Sequence, residues 1–220
     1  MKVQIQFTYR TRKGIQTTFY SEEMAPEQAL MIAEDTEKTG RSKGVIFLDQ
    51  QGVTWNMKEI KKYLKEVETE AHNITIYFDG GYERHMKKSG LGCVIYYEKN
   101  NKQFRIRKNA LVEGLTSNNE AEYAALHLAL QELEILDVHH LTINIIGDSQ
   151  VVIKQLSEDW PTYEEELLKW ADRIDNKLEQ MGLTPVYEVV SRKENKEADQ
   201  LASQALSGVE IFSTSEILKE

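Results

Sequence analysis

The sequence has few of the residues that crosslink a chain or anchor it in a membrane. Among its 220 residues is one cysteine, Cys93, which cannot form a disulfide within the chain and stands among apolar residues, as a small buried side chain does. No run approaches the roughly 18 apolar residues of a membrane span, and the first residues lack a signal-peptide core. These absences exclude a disulfide-stapled domain and a helical membrane protein, and we expect a cytoplasmic globular protein.

The chain also has fewer basic residues than acidic ones. The chain has 27 lysines and arginines against 36 acidic residues, a formal net charge of −9. Because non-specific nucleic-acid binders draw their affinity from Lys and Arg, this balance argues against a strongly basic protein of that class. Up to Glu70 acids and bases are equal in number, so the acidic excess lies in the later part of the chain, which also carries the motifs described below.

The first 68 residues predict a small α+β domain. Two alternating apolar segments flank a turn at Lys13-Gly14, which is typical of a hairpin. Pro26 suits the first turn of a helix, and Asp49-Gln50-Gln51-Gly52 lies between two further strand signals. Asn56 gives an N-cap pattern for a last, lysine-rich helix. The order ββαββα indicates a self-contained unit at residues 1–68.

The pattern changes at Ile74. Three successive strand signals joined by short turns indicate an antiparallel meander, after which helices and strands alternate up to a final helix that begins near Lys196. The order βββαβααβα implies an α/β domain with a mixed five-stranded sheet flanked by helices. We assign this domain to residues 74–208, after a linker at 69–73, and residues 209–220 to a C-terminal tail.

Four carboxylates are distinguished by where the pattern puts them. A helical wheel of the third predicted helix puts Glu122 on the apolar stripe and Glu120 on the polar one. Asp79 and Asp148 each follow an apolar strand, and parallel neighbouring strands would bring them to one edge of the sheet. Asp199, in the first turn of the last helix, can approach the same edge.

Each of these acids also has a structural explanation. Asp79-Gly80-Gly81 suits a turn, Asp148-Ser149 suits a helix N-cap, and Glu122 and Asp199 suit solvated helix positions. Their joint placement favours function, because four converging carboxylates repel one another unless a cation is present. Carboxylate oxygens without nearby Cys or His suit Mg²⁺ or Mn²⁺. Two such ions would activate a water molecule and stabilise the leaving oxygen of a phosphodiester.

Four short motifs occur in order between Ile74 and Leu206. They are Asp79-Gly80-Gly81, Ser117-Asn118-Asn119-Glu120-Ala121-Glu122-Tyr123, Gly147-Asp148-Ser149-Gln150 and Asn195-Lys196-Glu197-Ala198-Asp199-Gln200-Leu201-Ala202. In this order they resemble the motifs of the type 1 ribonuclease H family.

That resemblance implies a ribonuclease H-like fold that hydrolyses the RNA strand of RNA/DNA hybrids with two Mg²⁺ or Mn²⁺ ions. Four residues would be both catalytic and metal-binding: Asp79, Glu122, Asp148 and Asp199. The resemblance also implies that Asn118, Asn119 and Gln150 contact the hybrid in its minor groove, where 2′-hydroxyls are accessible. Helix capping is the alternative role for the two asparagines.

Two features of the family's better-known bacterial members are not evident. In place of a basic helix-and-loop insertion stands Leu156–Glu166, which is short and acidic, and no histidine occupies the loop before Asp199. Arg192, in that loop, is a candidate for substrate contact or product release, and a solvated loop residue is the alternative. We therefore expect weaker substrate affinity or a different metal preference.

Two hypotheses remain for the role of the N-terminal unit, and two for the function of the whole chain. Arg10, Arg12 and Lys13, with Tyr9 nearby, suit phosphate contact and base stacking, whereas the unit's neutral balance equally suits a protein-partner or dimerisation module. For the whole chain the leading hypothesis is a metal-dependent endonuclease acting on RNA/DNA hybrids. The alternative is a catalytically weak or inactive ribonuclease H fold that binds nucleic acid or regulates.

Overall fold

In the computed structural model, which describes residues 1–218, the chain divides into two units after Thr69. The first unit contains β1 (Val3–Arg10), β2 (Gln16–Tyr20), α1 (Pro26–Lys38), β3 (Ser42–Asp49), β4 (Thr54–Trp55) and α2 (Met57–Thr69). These elements follow the predicted order ββαββα, and the four strands form an antiparallel sheet in the order β2-β1-β3-β4. Alternate strand residues, Val3, Ile5 and Phe47, are buried with Ile60 of α2 because successive side chains point to opposite faces.

The second unit contains ten elements. They are β5 (His72–Glu83), β6 (Lys88–Lys99), β7 (Lys102–Glu113), α3 (Asn118–Ile135), β8 (Thr142–Gly147), α4 (Gln150–Leu156), α5 (Glu165–Gln180), β9 (Thr184–Val189), α6 (Lys196–Leu206) and β10 (Phe212–Ile217). The sheet order is β10-β7-β6-β5-β8-β9, with β5, β6 and β7 antiparallel and β8 parallel to both β5 and β9. The predicted mixed sheet flanked by helices is confirmed. No helix within residues 1–218 is long and apolar enough to cross a bilayer.

The sheet has six strands, one more than the sequence predicts. The additional strand is β10, which lies in the segment expected to be a tail and pairs with β7 from Phe212 opposite Lys108 to Ile217 opposite Gln103. Its side chains are almost all exposed, so it lacks the apolar alternation that marks a half-buried strand. Main-chain hydrogen bonds to the edge of the sheet hold it in place, and these leave no signature in the sequence.

Two glycines allow helices to approach opposite faces of this sheet. A Cβ atom on Gly80 would lie 2.2 Å from the main chain of Ala121 in α3, and one on Gly90 would lie 2.1 Å from the carbonyl oxygen of Ala202 in α6. Gly90 pairs with Gly81, and neighbouring residues of a strand face opposite sides. Helices α3 and α6 therefore cover opposite faces close to Asp79.

Candidate active site

Asp79 and Asp148 lie at one edge of the sheet because β5 and β8 are parallel neighbours. The last registered pair is Tyr77 with Ile146, and each aspartate follows two residues later. Strand β5 does not end before Asp79, as the apolar pattern suggests, but continues beside β6. Nor does Asp148 cap α4, since Ser149 is the N-cap residue. Both aspartates thus lie where β5 and β8 separate.

Glu122 reaches this edge from the first turns of α3. Its side chain is buried, and its Oε2 accepts a hydrogen bond from the main-chain N–H of Gly80 at 3.2 Å. Carboxylate oxygens of Asp79, Glu122 and Asp148 all lie within 4.8 Å of one another. Glu122 therefore faces inward, as the helical wheel predicts, and joins the two aspartates in a cluster of three.

Glu120 is not on the solvated side of α3, where the wheel puts it. The residue is buried, and its Oε2 accepts hydrogen bonds from the main-chain N–H and the hydroxyl of Thr116, both at 2.6 Å. Ser117 in turn accepts a hydrogen bond from the N–H of Glu120. The arrangement is close to a capping box, except that Glu120 accepts from Thr116 and not from the N–H of the N-cap residue Ser117. Glu120 is therefore satisfied locally and has a structural role.

Burial and mutual repulsion disfavour the ionised form of the clustered acids. Burial raises the pKa of Asp79 to about 7, with the charges of Asp148 and Asp199 adding to the shift. Burial likewise raises the pKa of Glu122 to about 9, with the charges of Asp79 and Asp148 contributing. The Gly80 N–H and the charge of Arg192 oppose these shifts only in part. A bound cation would restore ionisation, and oxygen donors of this kind fit Mg²⁺ or Mn²⁺.

Asp199 lies beside the cluster rather than within it. Its Oδ1 accepts hydrogen bonds from Arg192 Nη2 at 2.7 Å and Nε at 3.2 Å. Both residues line a cavity of about 380 Å³ that also borders the three clustered acids. The structure therefore brings three of the four predicted carboxylates together and puts the fourth on the same cavity wall, paired with an arginine.

Of the four residues predicted to contact substrate, two line the cavity and two do not. Asn118 and Arg192 line the cavity, whereas Asn119 and Gln150 do not. Asn118 is exposed, and its Oδ1 accepts a hydrogen bond from the N–H of Tyr82. Neither asparagine caps α3, because Ser117 does. Asn118 thus joins the first turn of α3 to the end of β5.

Asn195 was not singled out by the sequence beyond its place in a motif. It is buried, and its Nδ2 donates hydrogen bonds to the carbonyl oxygen of Phe78 at 2.9 Å and to Asp148 Oδ1 at 3.1 Å. Its position just before α6 suggests a cap, yet it makes no capping hydrogen bond. Asn195 instead ties the main chain next to Asp79 to the side chain of Asp148.

Comparisons with known proteins identify the family of this chain. The sequence profile of the family described as reverse transcriptase-like matches residues 77–205. The uncharacterised protein YpeP of Bacillus subtilis (strain 168) is 41% identical over 191 residues, which cover 86% of this chain and 84% of YpeP.

Two solved structures are similar to the second unit. Ribonuclease H1 of the archaeon Halobacterium salinarum is 27% identical with a TM-score of 0.52, over 62% of this chain and 99% of that one. LC11-RNase H1 in complex with RNA/DNA hybrid is 27% identical with a TM-score of 0.52, over 62% and 98%. The chain therefore belongs to the reverse transcriptase-like family and is a type 1 ribonuclease H-like hydrolase.

Proposed function

We propose that this protein is a metal-dependent endonuclease that hydrolyses the RNA strand of RNA/DNA hybrids. The observation that carries the proposal is the buried cluster of Asp79, Glu122 and Asp148, whose oxygens lie within 4.8 Å of one another. A relative of similar structure, LC11-RNase H1, is known in complex with an RNA/DNA hybrid. The similar fold, together with the acid cluster of this chain, supports the same substrate class.

The proposal includes two Mg²⁺ or Mn²⁺ ions. Asp79, Glu122 and Asp148 would hold them, with Asp199 as the fourth ligand. When bound, such ions supply an activated water molecule and neutralise the charge that develops on the leaving oxygen. The donor set fits because buried carboxylates at this spacing are unfavourable without a cation, and hard oxygen ligands match these ions.

The remaining side chains orient these ligands and contact the substrate. The Gly80 N–H holds Glu122 and the Asn195 amide holds Asp148, which fixes two of the carboxylates before substrate arrives. Because Tyr82 engages Asn118 Oδ1, the Asn118 amide nitrogen is the group that would donate to hybrid oxygens. Arg192, on the exposed side of the cavity, would contact a phosphate. Roles for Asn119 and Gln150 in the minor groove stay predictions, as does a cytoplasmic location.

A second candidate is a weak or inactive nuclease that binds nucleic acid. The observation that favours it is the acidic segment Leu156–Glu166, which stands where the family's better-known bacterial members carry a basic insertion. In this segment Glu164, Glu165 and Glu166 are exposed. Acidic side chains there would repel a phosphate backbone and weaken binding.

The test is a cleavage assay on end-labelled RNA/DNA hybrid, RNA duplex and DNA duplex with Mg²⁺ or Mn²⁺. We expect the RNA strand of the hybrid to be cut, leaving 3′-hydroxyl and 5′-phosphate ends. Asp79→Asn should lower the rate about a thousandfold, since a metal ligand contributes several kcal/mol to the transition state. Asp137→Asn is the matched control, because Asp137 is an exposed acid in a turn.

Two outcomes would contradict the proposal. No cleavage of any substrate by the parent protein would favour the second candidate. Equal cleavage by Asp79→Asn and Asp137→Asn would show that the nuclease site lies elsewhere.

A further inference from the structure

The sheet of the first unit is almost free of acidic residues. Residues 1–21 and 38–48, which include β1, β2 and all of β3 except Asp49, contain no aspartate or glutamate. The acids of this unit occur in residues 22–37 and from Asp49 onward. Five exposed basic residues lie in the acid-free segments near one end of the sheet, and we name them the basic end: Arg10, Arg12, Lys13, Arg41 and Lys43.

The register of the strands brings the basic end together. Lys43 of β3 lies opposite Thr8 of β1, so its side chain shares a face of the sheet with Arg10. Phe7 and Tyr9 point to the other face. The N–H of Arg10 donates a hydrogen bond to the carbonyl oxygen of Arg41 at 2.9 Å. Arg12 and Lys13 occupy the turn between β1 and β2.

The positive charge of the basic end is not neutralised by ion pairs. In the first unit, the ion pairs join Lys61 to Glu34 and Lys62 to Glu66, on the helices. Among residues 1–218, no member of the basic end pairs with a carboxylate within the 4.0 Å limit of a salt bridge. One end of the sheet is therefore a site of concentrated positive charge.

Three aromatic rings lie at the same end of the sheet, and we name them the aromatic cluster. The rings of Phe7 and Phe19 are stacked with centroids 5.7 Å apart, and Tyr9 meets Phe19 edge-on at 5.9 Å. Phe19 remains 48% exposed. Arg41 donates a hydrogen bond from Nη1 to the Tyr9 hydroxyl at 3.5 Å, which joins the aromatic cluster to the basic end.

We propose that the basic end and the aromatic cluster together bind single-stranded nucleic acid. Basic side chains meet the phosphates, and an exposed ring offers a stacking surface to a base that has left its own stack. A duplex keeps its bases stacked internally and would leave Phe19 without a partner, and an acidic protein would need the charge but not the rings. This function is separate from the hydrolysis proposed for the second unit and does not rest on it.

The test measures binding of fluorescently labelled oligodeoxythymidylate, about 15 nucleotides long, to the full chain by anisotropy, with EDTA present to prevent cleavage. The charge variant is Arg10→Ala/Arg12→Ala/Lys13→Ala. Its matched control is Lys58→Ala/Lys62→Ala/Lys65→Ala, which removes the same charge from α2. We expect the charge variant to bind about tenfold more weakly and its salt slope to fall by about 2, since each single-strand phosphate contact contributes roughly 0.7. The control should bind like the parent.

A ring variant tests stacking separately from charge. Phe19→Leu keeps an apolar side chain against Phe7 and removes the flat surface. Its affinity should fall about fivefold or more, with an unchanged salt slope because no charge is lost. Thermal denaturation would verify that each variant is folded.

Three results would overturn the proposal. In the first, the charge variant binds the oligonucleotide as tightly as its α2 control. In the second, an RNA/DNA or DNA duplex of the same length binds more tightly than the single strand and is equally sensitive to the charge variant. In the third, an acidic peptide competes at lower concentration than the oligonucleotide, which would assign the surface to a protein partner.

Discussion

Among the glutamates that helix α3 buries, Glu122 and Glu132 lie in opposite electrostatic surroundings. Glu132 is 2% exposed and forms an ion pair with Lys108 of β7. Glu122 is 5% exposed, faces Asp79 and Asp148, and within residues 1–218 its hydrogen bond comes from the N–H of Gly80 alone. Because burying a charge is costly without a partner, the protein itself stabilises the Glu132 carboxylate, whereas Glu122 would need a bound cation to be ionised near neutral pH. Under the proposed function, the contrast is between a structural acid and a functional one on a single helix.

The largest expected effect comes from Glu122→Gln. Hybrid cleavage should fall about a thousandfold, because a metal ligand contributes several kcal/mol to the transition state. The metal-free protein should nevertheless melt at a higher temperature, since an amide is neutral and folding no longer requires a proton to be taken up by this buried carboxyl group. Cleavage rate and thermal denaturation in EDTA measure the two effects.

Glu132→Gln is the matched control for Glu122→Gln. It should lower the melting temperature, because Lys108 loses its partner, and leave the cleavage rate of the folded protein close to that of the parent. If Glu122→Gln lowers the melting temperature of the metal-free protein as Glu132→Gln does, Glu122 is a structural acid and the contrast fails.

Removing Lys108 from its ion pair with Glu132 should lower the stability of the protein and leave the cleavage rate of the folded protein unchanged. Lys108→Met leaves the Glu132 carboxylate buried without a cation, and we expect a loss of about 3 kcal/mol in the free energy of unfolding. Urea denaturation measures it. Lys108→Met/Glu132→Leu should recover most of the loss, because the buried charge is then gone as well. A single variant as stable as the parent would show that Glu132 does not depend on Lys108.

The pH dependence of stability should reveal the site in the absence of metal. Because the pKa values of Glu122 and Asp79 are raised in the folded protein to about 9 and about 7, the folded state retains protons that the unfolded state has lost. Stability is then highest below about pH 4 for these groups and declines as pH rises through 7 and 9. Between pH 5.5 and 8.5 we expect the parent in EDTA to lose about 4 kcal/mol more than Glu122→Gln, because this whole interval lies between the unfolded and folded pKa values of Glu122.

Metal should reverse this dependence, because it binds the ionised carboxylates. Mg²⁺ should therefore raise the melting temperature more at pH 8.5 than at pH 5.5. Parallel pH profiles for the parent and Glu122→Gln in EDTA would indicate that Glu122 ionises normally and that the cluster is more solvated than its burial implies.

The sequence predicted which acidic residues approach the site better than it predicted the residues that hydrogen-bond to them. The helical wheel identified Glu122 because orientation follows from a period of 3.6 residues. It failed for Glu120, because a wheel ignores hydrogen bonds from residues before the helix, and Thr116 holds the Glu120 carboxylate through two of them. The meeting of Asp79 with Asp148 depends on a parallel register between strands far apart in the chain, which periodicity cannot supply. The role of Asn195 was not predicted for a related reason. Its two hydrogen bonds reach Phe78 of β5 and Asp148, which are far from it in the sequence.

The strand β10 shows a different limit. The side chains of Phe212–Ile217 are nearly all exposed, so burial contributes little to the formation of this strand. The pattern of apolar residues therefore does not predict it. Besides the ion pair of Lys102 with Glu216, the strand is held by main-chain hydrogen bonds to β7, which many sequences could make. Patterns therefore predict strands that build the core more readily than strands that complete an edge.

The smallest expected effect concerns Arg192, which lines the same cavity as Glu122. Its side chain is 79% exposed, and it forms an ion pair with Asp199. If Asp199 is the proposed fourth ligand, the Arg192 cation would compete with a metal ion for that carboxylate. Arg192→Ala should therefore raise the affinity for Mn²⁺, measured by calorimetry, by about two- to fivefold, the range expected for an exposed ion pair.

The control for Arg192→Ala is Lys193→Ala, which removes the same charge from the adjacent, exposed position of the same loop. It should leave the Mn²⁺ affinity within measurement error of the parent's. The gain from Arg192→Ala should also shrink in high salt, because screening weakens the competition between charges at the protein surface. An unchanged or lower Mn²⁺ affinity would mean that Arg192 does not compete with metal at all. Asp199 would then be a partner of the loop, and the cluster of three acids would account for metal binding without it.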